Sequence, residues 1–111
     1  MDNTRKKELA RSYKERKARP GIVAIRCKAS GQTWVAQTPD IDKRQSGLWF
    51  QLRMGGFPGK GLQQAWNTHG EAAFAYEILE DVRHENETMI PLLLKEREAY
   101  WRKQLGAAAL V

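Results

Sequence analysis

The sequence predicts one small α/β domain, and three observations support this prediction. The chain has 111 residues, 41% of them hydrophobic, a length that fits one domain with a modest core. Alternating apolar residues in two places indicate β-strands, and apolar residues at helical spacing indicate helices between and after them. No internal repeat and no long linker divides the chain, so we expect these elements to share one core.

Residues 21–36 predict a β-hairpin. Ser30 and Gly31 provide the turn signal, and Thr33, Trp34 and Val35 suit the returning strand. Apolar residues occupy both faces of the first strand, which indicates that it is covered on both sides.

A first helix is predicted to start at Thr38, Pro39 and Asp40, which resemble a cap, a first-turn proline and an acid at the positive helix end. Its inward face would hold Ile41, Leu48, Trp49 and Leu52. Gly47 is a weak point inside this helix, because glycine lowers helix propensity.

The remaining elements follow in order. Residues 55–61 predict a basic, glycine-rich loop, and a short helix then runs to Gly70. Alternation of Phe74, Tyr76 and Ile78 predicts a third strand. A last helix, capped by Asn86 or Thr88, would turn inward a stripe formed by Ile90, Leu93, Leu94, Arg97, Trp101 and Leu105. We assign no role to residues 107–111, and take residues 20–106 as the domain.

The charge balance favours a polyanionic partner. Nineteen Lys and Arg against thirteen Asp and Glu give a net charge of +6. Residues 5–19 hold eight of the basic residues and only two Glu, so residues 1–19 read as a basic helix or arm that contacts phosphates. The alternatives are a solvated helix packed through Leu9 and Tyr13, and a basic protein that binds nothing specific.

Cysteine content and the first residues bear on the compartment. The one cysteine, Cys27, excludes an internal disulfide and a thiol-based zinc site within one chain. Residues 1–20 are charged and lack the apolar core of a signal peptide, and no stretch is apolar enough to span a membrane. We therefore expect a reduced, cytoplasmic location.

Glu98 is the most informative single residue. It follows Leu94 by four positions and precedes Trp101 by three, which puts a carboxylate on the apolar stripe of the last helix. Such a charge needs a partner, either an arginine or a divalent metal. The alternative is a border residue paired in solvent with Lys95, Arg97 or Arg102. His69 and His84 show no ligand spacing.

These pieces together resemble the GIY-YIG nucleases. Gly21-Ile22-Val23 and Trp34-Val35-Ala36 are similar to the two strands that name the family, and Arg44 follows in the first helix. Three further segments match in order, namely residues 62–70, 74–80 and 96–101, so the resemblance covers residues 20–105. Each motif is weak alone, and their joint order and spacing carry the resemblance.

The resemblance implies a three-stranded antiparallel sheet flanked by helices. It also implies that Glu98 would hold one Mg²⁺ or Mn²⁺ ion, that Arg44 would offset phosphate charge, and that tyrosines of both strands would handle protons and water. Residue by residue, Arg44 and Glu98 are retained. Val23 and Trp34 occupy the positions of the tyrosines, and Ala36 and Leu48 replace a glycine and a histidine. The charged residues of the family's catalytic site are thus present, and its proton-transferring tyrosines are absent, unless Tyr13 takes their place.

Three hypotheses follow. The first is a nucleic-acid-binding domain, with DNA the expected partner, whose cleavage is weakened or lost, and in which Trp34 or Trp49, if exposed, could stack on a base. The second is an active metal-dependent endonuclease that uses Arg44 and Glu98. The third is a protein-interaction scaffold that grips an acidic partner. For the first, phosphate contacts are expected from Arg5, Lys6, Lys7, Arg11, Lys14, Arg16, Lys17, Lys43, Arg44, Arg53 and Lys60.

Overall fold

The computed structural model describes residues 18–111, which form a four-stranded sheet with helices on both faces. Strand order is β3-β1-β2-β4. The basic arm predicted at residues 1–19 lies almost entirely outside the described residues and stays a prediction. Elements run in the order β1 Gly21–Cys27, β2 Thr33–Thr38, α1 Arg44–Arg53, α2 Lys60–His69, β3 Phe74–Asp81, α3 Ile90–Leu105 and β4 Ala108–Ala109.

The three-stranded antiparallel sheet is confirmed. Strand β1 lies between β2 and β3 and pairs antiparallel with both, with Val23 opposite Ala36 on one side and Ile78 on the other. The predicted hairpin turn is also confirmed, and Gly31 adopts a φ of 78°, which glycine tolerates without a steric penalty. Residues 22–25 are fully buried, as expected for a central strand covered on both faces.

Residues 107–111, to which the sequence assigned no role, contribute to the sheet and the core. Ala108 and Ala109 form a short parallel strand against Trp34 and Val35 of β2, and Leu110 is buried in the core. This strand was missed because two alanines carry no alternating pattern. Its position is fixed instead by the hydrogen-bonding edge that β2 offers and by the burial of Leu110.

The sheet separates two hydrophobic clusters. Helices α1 and α2 cover one face, where Val23, Ile25 and Trp34 meet Leu48 and Leu62. Helix α3 covers the other, and its predicted stripe is confirmed: Leu94 is buried among Ile22, Ala24 and Val35, with Ile90, Leu93, Trp101 and Leu105 packed around them.

Helix α1 begins later than predicted. Thr38 is the last residue of β2, and its hydroxyl binds the backbone N–H and carbonyl of Asp40 instead of capping a helix. A turn over residues 41–43 follows, and Ile41 reaches the core from that turn. Thr38 was misread because its side chain lies on the buried face of the sheet, where it ends a strand. Gly47 does not interrupt α1.

Within residues 18–111, no helix is both long enough and apolar enough to cross a membrane. Gly70 ends α2 with a φ of 82°, and Asn86 accepts a hydrogen bond from the Thr88 N–H at the start of the short 3₁₀ turn before α3. The sequence predicted the end of α2 at Gly70, whereas Asn86, predicted as a cap of the last helix, caps this 3₁₀ turn, and α3 itself begins at Ile90 after Met89.

Candidate active site

The turn before α1 fixes the position of Arg44. The Tyr76 hydroxyl on β3 donates a 2.8 Å hydrogen bond to the carbonyl of Ile41, whose own N–H donates to the Arg19 carbonyl at 2.8 Å. The Arg19 guanidinium in turn binds Asp42 at 2.9 Å. These contacts hold the turn against β3 and the segment before β1, and they therefore position Arg44, the first residue of α1.

Arg44 lines a shallow depression of about 430 Å³ where β2 ends and α1 begins. Within residues 18–111, neither Arg44 nor Lys43 forms an ion pair, so both charges are available to an anion. The Asp40 carboxylate accepts a hydrogen bond from the Asp42 N–H. The lining residues are Gln37, Thr38, Pro39, Asp40, Lys43, Arg44 and Gly47.

Glu98 reaches the same end of β2 from the opposite face of the sheet. Its Oε2 accepts a 2.7 Å hydrogen bond from the backbone N–H of Gln37, which lines the depression, although Glu98 itself does not. Its Oε1 lies 3.8 Å from Arg102, one helical turn away. Only 19% of the Glu98 side chain is exposed. The carboxylate is therefore partly buried, as its position on the stripe predicts, and it has two partners.

The residues that the resemblance places at the proton-transfer positions lie in the core. Val23 and Leu48 are fully buried, and Trp34 is 4% exposed, with its ring centroid 6.3 Å from that of Phe74. Trp49 is also buried, edge-on to Trp66 at 5.4 Å. The exposure that base stacking by Trp34 or Trp49 would require is therefore not met, because both rings fill the space between the sheet and its two covering helices.

Tyr76 is a residue of this region that the sequence placed only in a strand. Burial raises the pKa of its phenol to about 12, although nearby Arg44 acts in the opposite direction. The phenol therefore stays protonated at neutral pH and donates its proton to a backbone carbonyl. A sequence signal existed, since a polar-tipped aromatic on an alternating apolar face needs a hydrogen-bond partner.

The donor set at Glu98 fits a weakly coordinated divalent ion. Within the described part of the chain, no group of three or more His, Cys, Asp and Glu residues could enclose a metal. Mg²⁺, however, is often held by one or two carboxylates, with water and phosphate oxygens completing its shell. Oε2 of Glu98 is engaged by Gln37, so such an ion would have to bind at Oε1, where it would compete with Arg102 at 3.8 Å.

The remaining phosphate-contact residues have different surroundings. Lys43 and Lys60 are exposed. Arg53 makes two hydrogen bonds to Glu71, at 2.6 and 2.9 Å, which offset its charge. The other seven predicted contacts, Arg5, Lys6, Lys7, Arg11, Lys14, Arg16 and Lys17, lie outside the described residues.

Comparison with solved structures identifies the class of fold. No protein-family model matches the chain, and no curated protein matches it significantly. The catalytic domain of homing endonuclease I-TevI matches with a TM-score of 0.66 and 29% identity, over 78% of this chain and 88% of that domain. A glutamate-to-alanine mutant of the same domain matches with a TM-score of 0.68 and 28% identity, over 79% of this chain and 84% of that one.

The fold therefore defines a nuclease-like domain. The described chain has a GIY-YIG-like fold, with one short strand added to the three expected from the family resemblance.

Proposed function

We propose that this domain binds nucleic acid, with DNA the expected partner, and that it cleaves phosphodiester bonds poorly or not at all. One observation carries the proposal: apolar residues buried in the core stand where active members place proton-transfer groups, while Arg44 lines an open depression. The surface proposed to bind phosphate is present, whereas the residues that would transfer protons are replaced.

Binding rests on the cations at the start of α1. Lys43 and Arg44 are adjacent at one depression, and neither is neutralised within residues 18–111. Contacts of this kind position a protein on the phosphate backbone, and they account for most sequence-independent affinity. The basic residues before position 18 would extend this surface.

Weak cleavage follows from the loss of proton-transfer groups. A positioned general base or acid typically contributes about 10² to 10⁴-fold to a rate. Tyr76 does not replace the missing tyrosines, because its hydroxyl donates to Ile41 and its pKa of about 12 makes it a poor base near neutral pH. Tyr13 lies outside the described residues and is the remaining substitute to test.

A divalent ion has a place in this proposal only if the domain is active. Glu98 would hold Mg²⁺ or Mn²⁺, which when bound supplies positive charge to the phosphate and the leaving oxygen. Arg44 would offset the charge of the same phosphate from α1. Gln37 would keep the carboxylate oriented through its backbone N–H.

The second candidate is a working metal-dependent endonuclease. It is favoured by the arrival of Glu98 and Arg44 at one end of β2, the two groups that the family resemblance assigns to metal and phosphate. It requires a proton acceptor in place of the replaced tyrosines, and Tyr13 is the candidate that the sequence offers.

Binding can be tested by fluorescence anisotropy with labelled DNA between about 50 and 200 mM salt, where affinity carried by phosphate contacts falls steeply. Arg44→Ala should weaken binding several-fold, and Lys95→Ala, which removes the same charge from exposed α3, should have less effect. An affinity that does not change with salt would contradict the binding proposal.

Cleavage can be tested by incubating supercoiled plasmid with Mg²⁺ or Mn²⁺ and either the native chain or Glu98→Gln. We expect no nicking above the level of the variant. Nicking by the native chain that Glu98→Gln abolishes would establish the second candidate. Loss of that nicking in Tyr13→Phe would identify the proton acceptor.

A further inference from the structure

One face of α1 carries large apolar side chains in solvent. Phe50 is 61% exposed and Met54, which follows the helix, is 71% exposed. With Lys43 and Gly47 they are spaced at four, three and four residues, so all four share one side of the helix. We name these four residues the α1 stripe. The buried residues of the helix, Leu48, Trp49 and Leu52, lie on another side.

Gly47 is the unusual member of the α1 stripe. Glycine weakens a helix interior, and packing does not require it here, because a Cβ at this position would meet no atom within 4 Å. The missing side chain leaves the helix backbone accessible at this position. The accessible backbone lies between Lys43 and the aromatic ring of Phe50 along the helix.

The α1 stripe is continuous with the depression at Arg44. Lys43 and Gly47 line that depression, and Phe50 lies six residues beyond Arg44. At about 1.5 Å per residue, this separation is about 9 Å along the helix, a length that one or two nucleotides span. A phosphate held by Arg44 would therefore leave a neighbouring base near the Phe50 ring.

We propose that the α1 stripe binds a nucleic-acid strand with unpaired bases, with Phe50 stacked on a base and Lys43 and Arg44 on the adjoining phosphates. Aromatic rings stack on any unpaired base, which a duplex keeps in its interior. The inference rests on the proposed function and names its substrate class, a single strand or the unpaired region of a duplex.

The charge of this surface favours a nucleic-acid strand over a second copy of the chain as its ligand. Lys43 in the α1 stripe and its neighbour Arg44 have no ion-pair partners within residues 18–111. The whole chain carries a net charge of +6. Two copies that met through this face would bring like charges together, whereas a strand of phosphates would neutralise them. An exposed aromatic on the same helix as such cations matches the combination that single-strand-binding surfaces use.

The test compares Phe50→Ala, Phe50→Leu and Phe50→Trp in the full chain, with Leu92→Ala as the control. Leu92 is 51% exposed on α3, so its removal matches the loss of an exposed apolar side chain elsewhere. Affinities are measured by anisotropy for a labelled oligothymidylate and for a blunt DNA duplex, and circular dichroism verifies folding.

Phe50→Ala and Phe50→Leu should each weaken binding of the single strand by about tenfold, with duplex binding changed less than about twofold. Phe50→Trp should keep the affinity, and Leu92→Ala should not alter it. Salt dependence provides a second readout: Phe50→Ala should leave its slope unchanged, and Lys43→Ala should reduce it by about 0.7 for a single strand.

Three results would overturn the inference. Equal single-strand affinity in Phe50→Ala and the native chain would exclude stacking. Loss of affinity in Phe50→Ala but not in Phe50→Leu would indicate a general apolar contact. Self-association of the native chain in sedimentation experiments that Phe50→Ala abolishes would assign the face to a second copy. Salt-dependent binding that persists in these cases would leave the proposed function intact, and absence of binding by the native chain would refute both.

Discussion

The Glu98 carboxylate accepts a 2.7 Å hydrogen bond from the backbone N–H of Gln37, and this contact joins α3 to the end of β2. Strand β4 pairs only with Trp34 and Val35, so it does not reach Gln37 on that edge of β2. The residue that the family resemblance assigns to a metal therefore also has a structural role. A variant that removes the Glu98 carboxylate would therefore lose this contact as well as any chemistry.

Glu98→Ala should lower the free energy of unfolding by about 1 kcal/mol, because it removes a hydrogen bond between a charged acceptor and a backbone donor. Glu98→Gln keeps an acceptor oxygen at the same position and should stay within about 0.5 kcal/mol of the native chain. Urea denaturation at neutral pH measures both values.

Glu96→Ala provides the control, since Glu96 is exposed two residues earlier on the same helix. It should have less effect than Glu98→Ala. Equal stability of the Glu98→Ala variant and the native chain would mean that the Gln37 contact contributes nothing. In that case Glu98→Ala, as well as Glu98→Gln, could serve as a clean control for cleavage.

Most of the fold could be predicted because its elements carry strong local patterns. The hairpin had alternation and a glycine turn, and α3 had a stripe from Ile90 to Leu105 at helical spacing. The start of α1 and strand β4 could not be predicted. Thr38 is equally suited to capping a helix and ending a strand, and Ala108 has no pattern of its own, so tertiary contacts decided both.

The sequence proposed residues for the candidate site but did not predict which aromatic side chains are exposed. Arg44 and Glu98 were found from spacing and family resemblance, and the structure brings them to one end of β2. The burial of Trp49 agrees with its predicted place on the inward face of the helix, whereas the burial of Trp34 was not anticipated, because a tryptophan in a small domain suits both a core and a base-stacking surface. The exposed aromatic Phe50 was missed, since it lies off the apolar face that defines the helix.

Tyr76 should give the protein a specific stability loss at alkaline pH. Its pKa is about 12 in the folded chain and about 10 when unfolded, so between these values the folded state keeps a proton that the unfolded state has lost. The stabilisation from this group is complete below about pH 10 and is lost as pH rises through about 12. Urea unfolding followed from about pH 8 to pH 11 measures the loss.

Tyr76→Phe tests the assignment because it removes the titrating hydroxyl and keeps the ring against Trp49. The variant should be less stable than the native chain by about 1 kcal/mol at neutral pH, through loss of the bond to Ile41. The difference between the two proteins should shrink toward pH 12. A difference that is constant with pH would show that the Tyr76 proton is not coupled to folding.

Leu110 should matter for stability although it is the penultimate residue of the sequence. Its side chain is 7% exposed in the cluster under α1 and α2, so Leu110→Ala should cost about 2 to 3 kcal/mol of unfolding free energy. Val111→Ala is the matched control, because Val111 is 79% exposed, and it should change stability by less than about 0.5 kcal/mol. Similar thermal melts for the two variants would show that β4 does not anchor Leu110 in solution.

Gly47→Ala should stabilise the fold and weaken binding at the same time. Alanine is favoured over glycine inside a helix by about 1 kcal/mol, and the new methyl group would meet no atom within 4 Å, so denaturant unfolding should shift by about 0.5 to 1 kcal/mol in the stabilising direction. If a nucleic-acid strand crosses the α1 stripe at Gly47, the added methyl group occupies part of the space that the strand needs, and the affinity for the oligothymidylate should fall. Ser46→Ala, at the preceding exposed position of α1, is the control, and it should leave that affinity unchanged. A Gly47→Ala protein that is more stable and binds as tightly as the native chain would indicate that the strand does not approach α1 at Gly47.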